Sequence, residues 1–389
     1  MELSEIITEL QSLGVKLPQE GLHRKGGAGP AEAGSLIVGD IPINVPVSSP
    51  FVSRSSYALK SVSDELRLLR GDEDLTSVRL VPKPRFYDEH TRDGVPYSKI
   101  ALLHGMDCLA SSVLQTCTYW HPEKRCRFCG IELSLKAQQT IPLKSPDQLA
   151  EVAAKAKALD SVGHVVLTTG MGEPPGSELS HLMAASTAIK TAGGLPIHAQ
   201  FLPPLEKGAF SDTFQALKAA GVDTVGIHIE SLDPEILEHM APMKAAIGLK
   251  RFEAAWKAAV AVFGPNQVSS FLIAGLGEAP ATLIQASEYM ADMGVYPFVV
   301  PLRPIPGSLM SDACPPDPEV MKGVYEAVIK VLEAKGLSSA QSLAGCVRCG
   351  ACSALAAYEY CRDSMVCHPA RTPEDLDEAF KIRETVFVE

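Results

Sequence analysis

Basic charge is scarce in this chain: 35 Lys and Arg stand against 46 Asp and Glu, leaving a net charge of −11. A field of that sign repels phosphate backbones, so nucleic-acid binding is not expected as the main activity. Long apolar runs are missing too. No stretch reaches 18 residues, so no membrane-spanning helix and no membrane partner are expected. The opening MELSEIITELQSLGV is acidic and amphipathic, without the basic start and apolar centre of a secretory signal. Internal repeats and low-complexity tracts are also absent. These absences predict a cytoplasmic globular protein. Its ten cysteines are then expected to be metal ligands or catalytic groups rather than disulfides.

With 389 residues, 46% of them hydrophobic, the chain can build a large core in one extended domain or two. Residues 1–22 read as a helix with Leu10, Leu13 and Val15 on its apolar side. Residues 23–60 are rich in Gly, Pro and Ser and predict irregular structure with a short strand near 36–46. Residues 61–100 are mixed and charged. From about residue 100, short β-rich runs at 109–117, 164–170, 195–202, 224–230, 268–277 and 295–302 alternate with helical patterns such as 145–159 and 211–221. Six strands, each followed by a helix, predict an α/β fold with a parallel sheet and right-handed crossovers. Periodicity leaves two closures open, a doubly wound sheet or a curved (β/α)6 barrel. His198 and His228 fall on these strands and read as hydrogen-bonded interior residues. Tyr296 and Phe298 read as core. The tail from 371 to 389 reads as a charged helix capping the barrel.

Two cysteine groups carry the chemistry. Cys117, Cys126 and Cys129 lie in CTYWHPEKRCRFC, where the first of the six strands ends, and the carboxyl ends of strands bear the sites of α/β folds. Three thiolates leave one iron of a [4Fe–4S] cluster open for a ligand. A zinc knuckle would need a fourth donor, such as His121. Cys346, Cys349 and Cys352 lie in AGCVRCGACS, the opening of a ferredoxin-type run without its usual fourth cysteine and proline. Zinc is again the alternative. Cys108 and Cys314 read as packed thiols. After the second strand, TTGMGEPPG sets small residues beside Glu173, which can pair with an ammonium group.

Together, Cys117, Cys126, Phe128, Cys129 and the Gly170-Met171-Gly172-Glu173 loop, followed by βα units, resemble the radical S-adenosylmethionine superfamily. The resemblance implies a partial (β/α)6 TIM barrel over residues 101–310. An N-terminal extension, 1–100, would precede it and a C-terminal auxiliary-cluster region, 311–389, would follow. It implies that the three cysteines hold a [4Fe–4S] cluster and that Phe128 contacts the adenine. Gly170, Gly172 and Glu173 would bind the methionyl amino group, and Glu230 and Gly275 would face ribose and adenine. The spacing C-x8-C-x2-C departs from the usual C-x3-C-x2-C.

Within the superfamily the chain looks most like the biotin-synthase-like branch. Residues 50–57, PFVSRSSY, are similar to the stretch in lipoyl synthases whose serine ligates an auxiliary [4Fe–4S] cluster alongside three cysteines. The chain thus resembles the first subunit of the two-protein lipoyl synthase. That implies radical sulfur insertion into an octanoyl chain on a carrier protein or domain. It also implies two [4Fe–4S] clusters, S-adenosylmethionine, a second lipoyl synthase subunit and a reduced donor such as ferredoxin. The auxiliary cluster would be dismantled for sulfur. Ser55, followed by Ser56, is the expected fourth ligand, with Cys361 or Cys367 as alternatives, and Arg54 would hold the serine loop. A serine oxygen is a harder ligand for iron than thiolate and leaves more readily. Residues 50–57 are expected over the carboxyl-end mouth of the barrel, next to 346–352. Two alternatives share much of this layout: another biotin-synthase-like radical enzyme, such as the one found with nitrilase-type gene clusters, and a non-catalytic iron–sulfur or zinc protein.

Overall fold

The structure, a computed structural model, describes residues 1–18, 27–28, 33–62, 65–205 and 210–360. The expected tail helix, Cys361 and Cys367 lie outside the described residues. The chain opens with the helix Leu3–Leu13, shorter than the 1–22 expected from its pattern, and it ends at Gly14. Five antiparallel strands follow: β1 (Ala33–Val38), β2 (Ile41–Pro46), β3 (Tyr57–Val62), β4 (Glu65–Arg70) and β5 (Glu73–Leu80). They pair in the order β2-β1-β5-β4-β3. Sequence reading expected one short strand here. The turn signal at Gly39–Asp40 and the β-branched run around it make a hairpin instead, and the charged 61–100 stretch hides β4 and β5, which carry the half-buried Arg67 and Arg70 and the exposed Glu73.

The second sheet positions the site. It comprises β6 (Leu102–His104), β7 (Cys108–Ser112), β8 (His164–Thr168), β9 (Ile197–Gln200), β10 (Thr224–Gly226), β11 (Val268–Ala274) and β12 (Val295–Pro301), in sequential order. From β7 to β12 every pairing is parallel, and β6 runs antiparallel on the β7 edge. All six expected runs thus become neighbouring strands, each followed by helical structure, and the sheet curls into a partial barrel. Strands buried on both faces read as near-continuous apolar runs; β11 and β12 each leave one residue partly exposed.

Local signals account for the helices. Ser145 caps Pro146–Asp160: its Oγ accepts from Gln148 N at 3.1 Å, and Gln148 Oε1 accepts from Ser145 N at 2.9 Å. Outer-layer side chains such as Leu182, Ile189, Phe214, Leu217 and Phe252 are fully buried against the sheet, and each contributes about 1.5–3 kcal/mol. Trp256 is buried among them and donates Nε1–H to Ile227 O at 2.9 Å. Tyr296 and Phe298 are core, as expected. Among the described residues, no helix is long and apolar enough to cross a membrane.

The two extensions meet each other. Glu5 pairs with Lys322 on the helix Pro318–Lys335. Gln11 Nε2 donates to Ala351 O at 3.1 Å, and Asn44 N donates to the same oxygen at 2.7 Å. A segment some 300 residues away in sequence thus lies against the C-terminal cysteine loop.

Candidate active site

The first cysteine group is built where β7 ends. The chain leaves β7, turns through Cys117, Cys126 and Cys129, and is tied to the loop after β8. Gly170 N donates to Leu114 O at 2.9 Å, Thr118 N to Met171 O at 3.0 Å, and Met171 N to Cys117 Sγ at 3.5 Å. Gly170 is required by space: a Cβ there would lie 2.0 Å from Thr116 O. Burial raises all three thiols, Cys126 to about 11 and Cys129 to about 12.

A cavity of about 200 Å³ opens from these cysteines and is walled by Phe128, Gly170, Glu178, Gln200, Glu230 and Lys244, among others. Glu230 is buried where β10 would continue, with φ +80°, a conformation uncommon outside glycine. Its Oε1 accepts from Lys244 Nζ at 2.7 Å, and Lys244 also donates to His228 O at 2.6 Å. Its Oε2 is buried without a hydrogen-bond partner. Burial works against the Lys244 charge, but Glu230 outweighs it and raises the ammonium. Arg125 also reaches the cavity; its guanidinium lies over the Trp120 ring at 4.8 Å and its Nε has no partner.

Two expected contacts differ. Glu173 is exposed. The carboxylate that turns into the loop is Glu178, in the first turn of the helix Ser177–Gly193, where Oε2 accepts from Gly172 N at 3.1 Å and Gly176 N at 3.0 Å. Pro174 and Pro175 carry the chain outward before the helix brings it back. Gly275 follows β11 with φ +99° and packs against Leu302 and Pro316 rather than on the cavity wall.

The second group lies at the opposite end of the barrel. Gly345 N donates to His164 Nδ1 at 3.2 Å, and Thr224 Oγ1 donates to Ala344 O at 3.2 Å; His164 and Thr224 are the first residues of β8 and β10. Gln267, just before β11, binds Gln341 O and Leu343 N. Cys349 pairs with Cys108, the first residue of β7. The segment carrying Cys346–Cys352 therefore closes the amino-terminal end, which corrects its expected place at the carboxyl-end mouth. Short segments with Gly at positive φ, Gly345 and Gly350, bend it under the strands.

Around the sulfurs, Gln200 Nε2 donates to Cys346 Sγ at 3.3 Å, His104 Nε2 lies 3.1 Å from Cys352 Sγ, and Asn44 Nδ2 lies 3.7 Å from the same sulfur. Burial raises Cys352, yet the facing His104 outweighs it and brings the thiol down to about 6. Burial likewise opposes charge on His104, and the Cys352 and Cys349 sulfurs prevail, raising it to about 9.

The serines do not join this group. Ser55 is buried, but its hydroxyl donates to Gly14 O at 2.7 Å and accepts from Tyr57 N at 3.1 Å. Arg54 and Ser56 are exposed. The N-terminal extension does reach the cysteine loop, through Gln11 and Asn44, which sequence reading missed because neither sits in a motif. A second cavity, about 260 Å³, is walled by His104, Cys346, Cys352, Arg303 and apolar strand residues; Phe128 and Gln200 line it as well as the first. A larger groove of about 830 Å³ runs past Arg92 and Glu151 on the outer face of the barrel, with no cysteine on its wall.

The three cysteines of the first group are donors of the kind an iron–sulfur cluster takes. Soft thiols are the right donors, and a cluster spreads its ligands over separate irons. Among the described residues, no three or more His, Cys, Asp or Glu side chains converge to hold one metal ion. At the first group, the glycine that admits the loop and the unpartnered Glu230 oxygen also fit a bound cofactor.

The site stands at the carboxyl ends of a partial barrel, and residues 123–290 match the Radical SAM superfamily. The match takes in Cys126 and Cys129 and begins after Cys117, which stands beyond the long C-x8-C spacing. The chain is 24% identical over 292 residues to the bacteriochlorophyllide c C-7(1)-hydroxylase of Chlorobaculum limnaeum, covering 68% of this chain and 69% of that protein. Among solved structures it is similar to a radical SAM methyltransferase from Sphaerobacter thermophilus, with 14% identity, a TM-score of 0.46, and 73% and 76% of the two chains covered. It is also similar to methylornithine synthase, with 16% identity, a TM-score of 0.42, and 59% of this chain and 62% of that one covered.

Proposed function

We propose that the chain is a radical sulfur-insertion enzyme of the lipoyl synthase type, acting on an octanoyl chain held on a carrier protein or domain. One observation carries the reading: two cavities share Phe128 and Gln200 on their walls, one lined by Cys117, Cys126 and Cys129, the other by Cys346 and Cys352. A substrate held beside that shared wall would lie close to both cysteine groups. The second cavity's wall, with Ala110, Val166, Phe271, Ile273 and Val300, suits an unfunctionalised hydrocarbon.

A [4Fe–4S] cluster and S-adenosylmethionine at the first group would supply a 5′-deoxyadenosyl radical, able to abstract hydrogen from an unactivated carbon. Cys117, Cys126 and Cys129 would hold that cluster, three ligands leaving one iron for the cofactor. Glu230, held by Lys244, would offer its unpartnered Oε2 to a cofactor hydroxyl. Glu178 orders the loop that would face the amino group. Phe128, on the wall of both cavities, would stand between cofactor and substrate. Cys346, Cys349 and Cys352 would hold an auxiliary [4Fe–4S] cluster, which would supply the sulfur. A second synthase subunit and a ferredoxin-like donor complete the system.

Ser55 favours a second reading. With its hydroxyl engaged by Gly14 and Tyr57, the auxiliary centre lacks the labile oxygen ligand of a sacrificial cluster. The chain would then be another biotin-synthase-like radical enzyme that keeps its auxiliary centre intact. Anaerobic turnover with an octanoyl-lysine peptide separates the two, using protein whose cluster sulfide is ³⁴S. Thiolated product carrying ³⁴S supports sulfur insertion. Formation of 5′-deoxyadenosine without label transfer moves the function to the second reading.

A further inference from the structure

We propose that His104 is the fourth protein ligand of the iron–sulfur centre held by Cys346, Cys349 and Cys352. The inference rests on the reading of those cysteines as a cluster site. A C-x2-C-x2-C run fills three corners of a cubane and needs a donor from elsewhere.

The sheet supplies one. β6 and β7 pair antiparallel with His104 directly opposite Cys108. Opposed residues in such a pair project from the same face. Ala110, two residues beyond Cys108, lines the inner cavity, so this face looks into the barrel. His104 lies on the wall of that cavity together with Cys346 and Cys352, its Nε2 3.1 Å from Cys352 Sγ. The hairpin turn brings the backbone close as well. Cys349 Sγ approaches His104 O at 3.8 Å, and a Cβ on Gly105 would lie 2.9 Å from that sulfur.

Other nearby groups are less suited. Ser55 has both hydrogen bonds inside the N-terminal extension, and Ser56 is exposed. Arg303 donates to Asn44 O at 3.2 Å, and a guanidinium offers no acceptor. Cys108 is engaged with Cys349. An imidazole nitrogen is a competent iron ligand and raises the potential of a cluster relative to all-thiolate ligation. On loading, His104 gives the Nε2 lone pair to iron with one proton kept on Nδ1, and every other proton held on the imidazole and the three sulfurs leaves to solvent.

The test uses full-length protein with Cys117, Cys126 and Cys129 all replaced by Ala, reconstituted anaerobically, so that any remaining cluster belongs to the C-terminal group. About four irons per chain are expected. Pulsed EPR of the reduced centre is expected to show a strong nitrogen coupling that changes when histidine is ¹⁵N-labelled. Adding His104→Ala should remove it, His104→Cys should restore a cluster of lower potential without it, and Ser55→Ala should leave it unchanged. A cluster without histidine coupling overturns the proposal and moves the ligand to Cys108 or Ser55. Coupling that survives His104→Ala overturns it too. A triple variant that binds no iron overturns the C-terminal centre itself, and His104 with it. The labelled parent reads the ligand directly even where His104→Ala fails to fold.

Discussion

Glu230 shows how much a single residue is asked to do. Its φ of +80° places it in the left-handed region, where a side chain costs on the order of 1 kcal/mol or more. The sheet holds it there through Glu230 N to Phe271 O at 3.1 Å and Ile273 N to Glu230 O at 2.9 Å. Strain of this kind persists where the surroundings over-determine it, and here it places a carboxylate on the wall of the cavity beside Cys117, Cys126 and Cys129. Lys244 is its buried counter-charge. Lys244→Met is therefore expected to destabilise the fold by about 3–5 kcal/mol, because it strands a carboxylate. Adding Glu230→Gln should recover most of that loss, as thermal unfolding of the single and double variants would show; an additive cycle would mean that the pair is not coupled. The strand pattern made Glu230 visible in the sequence. Lys244 was not, since it lies 14 residues on, in the short helix Pro242–Ile247, and no motif marks it. Glu173 was visible in its loop and is exposed; that Glu178 turns inward instead was not visible, because a loop's sequence does not say which of two nearby carboxylates does so.

At the scale of elements, the site depends on two loops joined edge to edge. The loop after β8 meets the cysteine loop after β7 through three hydrogen bonds centred on Gly170 and Met171. Gly170→Ala would push a methyl group against the Thr116 carbonyl, and backbone cannot yield cheaply there. If both cysteine groups hold clusters as proposed, the expected outcome is selective: iron content falls from about eight to about four per chain, with secondary structure by circular dichroism unchanged. Loss of all iron would show instead that the two groups assemble together. The β–α alternation of this region was legible because each strand is a short apolar run and each helix a longer periodic one. The N-terminal sheet was not, because β3, β4 and β5 are partly exposed and their charged residues mask the two-residue period.

For the molecule as a whole, the barrel is closed below by the C-terminal segment, and buried histidines line that closure. His198 is 2% exposed, contacts Thr224 Oγ1 at 2.7 Å and packs under Gly345. Burial, with His164 nearby, lowers its imidazole from 6.5 to about 3. The unfolded chain takes up a proton below pH 6.5 that the folded chain refuses until about pH 3. Stability present above 6.5 is thus lost as pH falls through that window. His198→Gln is expected to flatten the acid limb of the stability curve between pH 6.5 and 3, measured by denaturant unfolding at several pH values. An unchanged limb would assign the acid sensitivity to other groups.

By itself the sequence determined the parts: six strands with their helices, two sets of three cysteines, and the residues on which the superfamily resemblance rests. These are local properties, written in periodicity, caps and spacing, and they survive without knowledge of the fold. Only the tertiary structure decided how the parts face one another. It put the two cysteine groups at opposite ends of one barrel, with Phe128 and Gln200 between two cavities. It bound Ser55 to Gly14 and set His104 beside Cys352. Those pairings join residues far apart in the chain, and their choice follows from strand register and from which buried hydrogen bonds are satisfied. Neither is encoded within a few residues of the groups that use them.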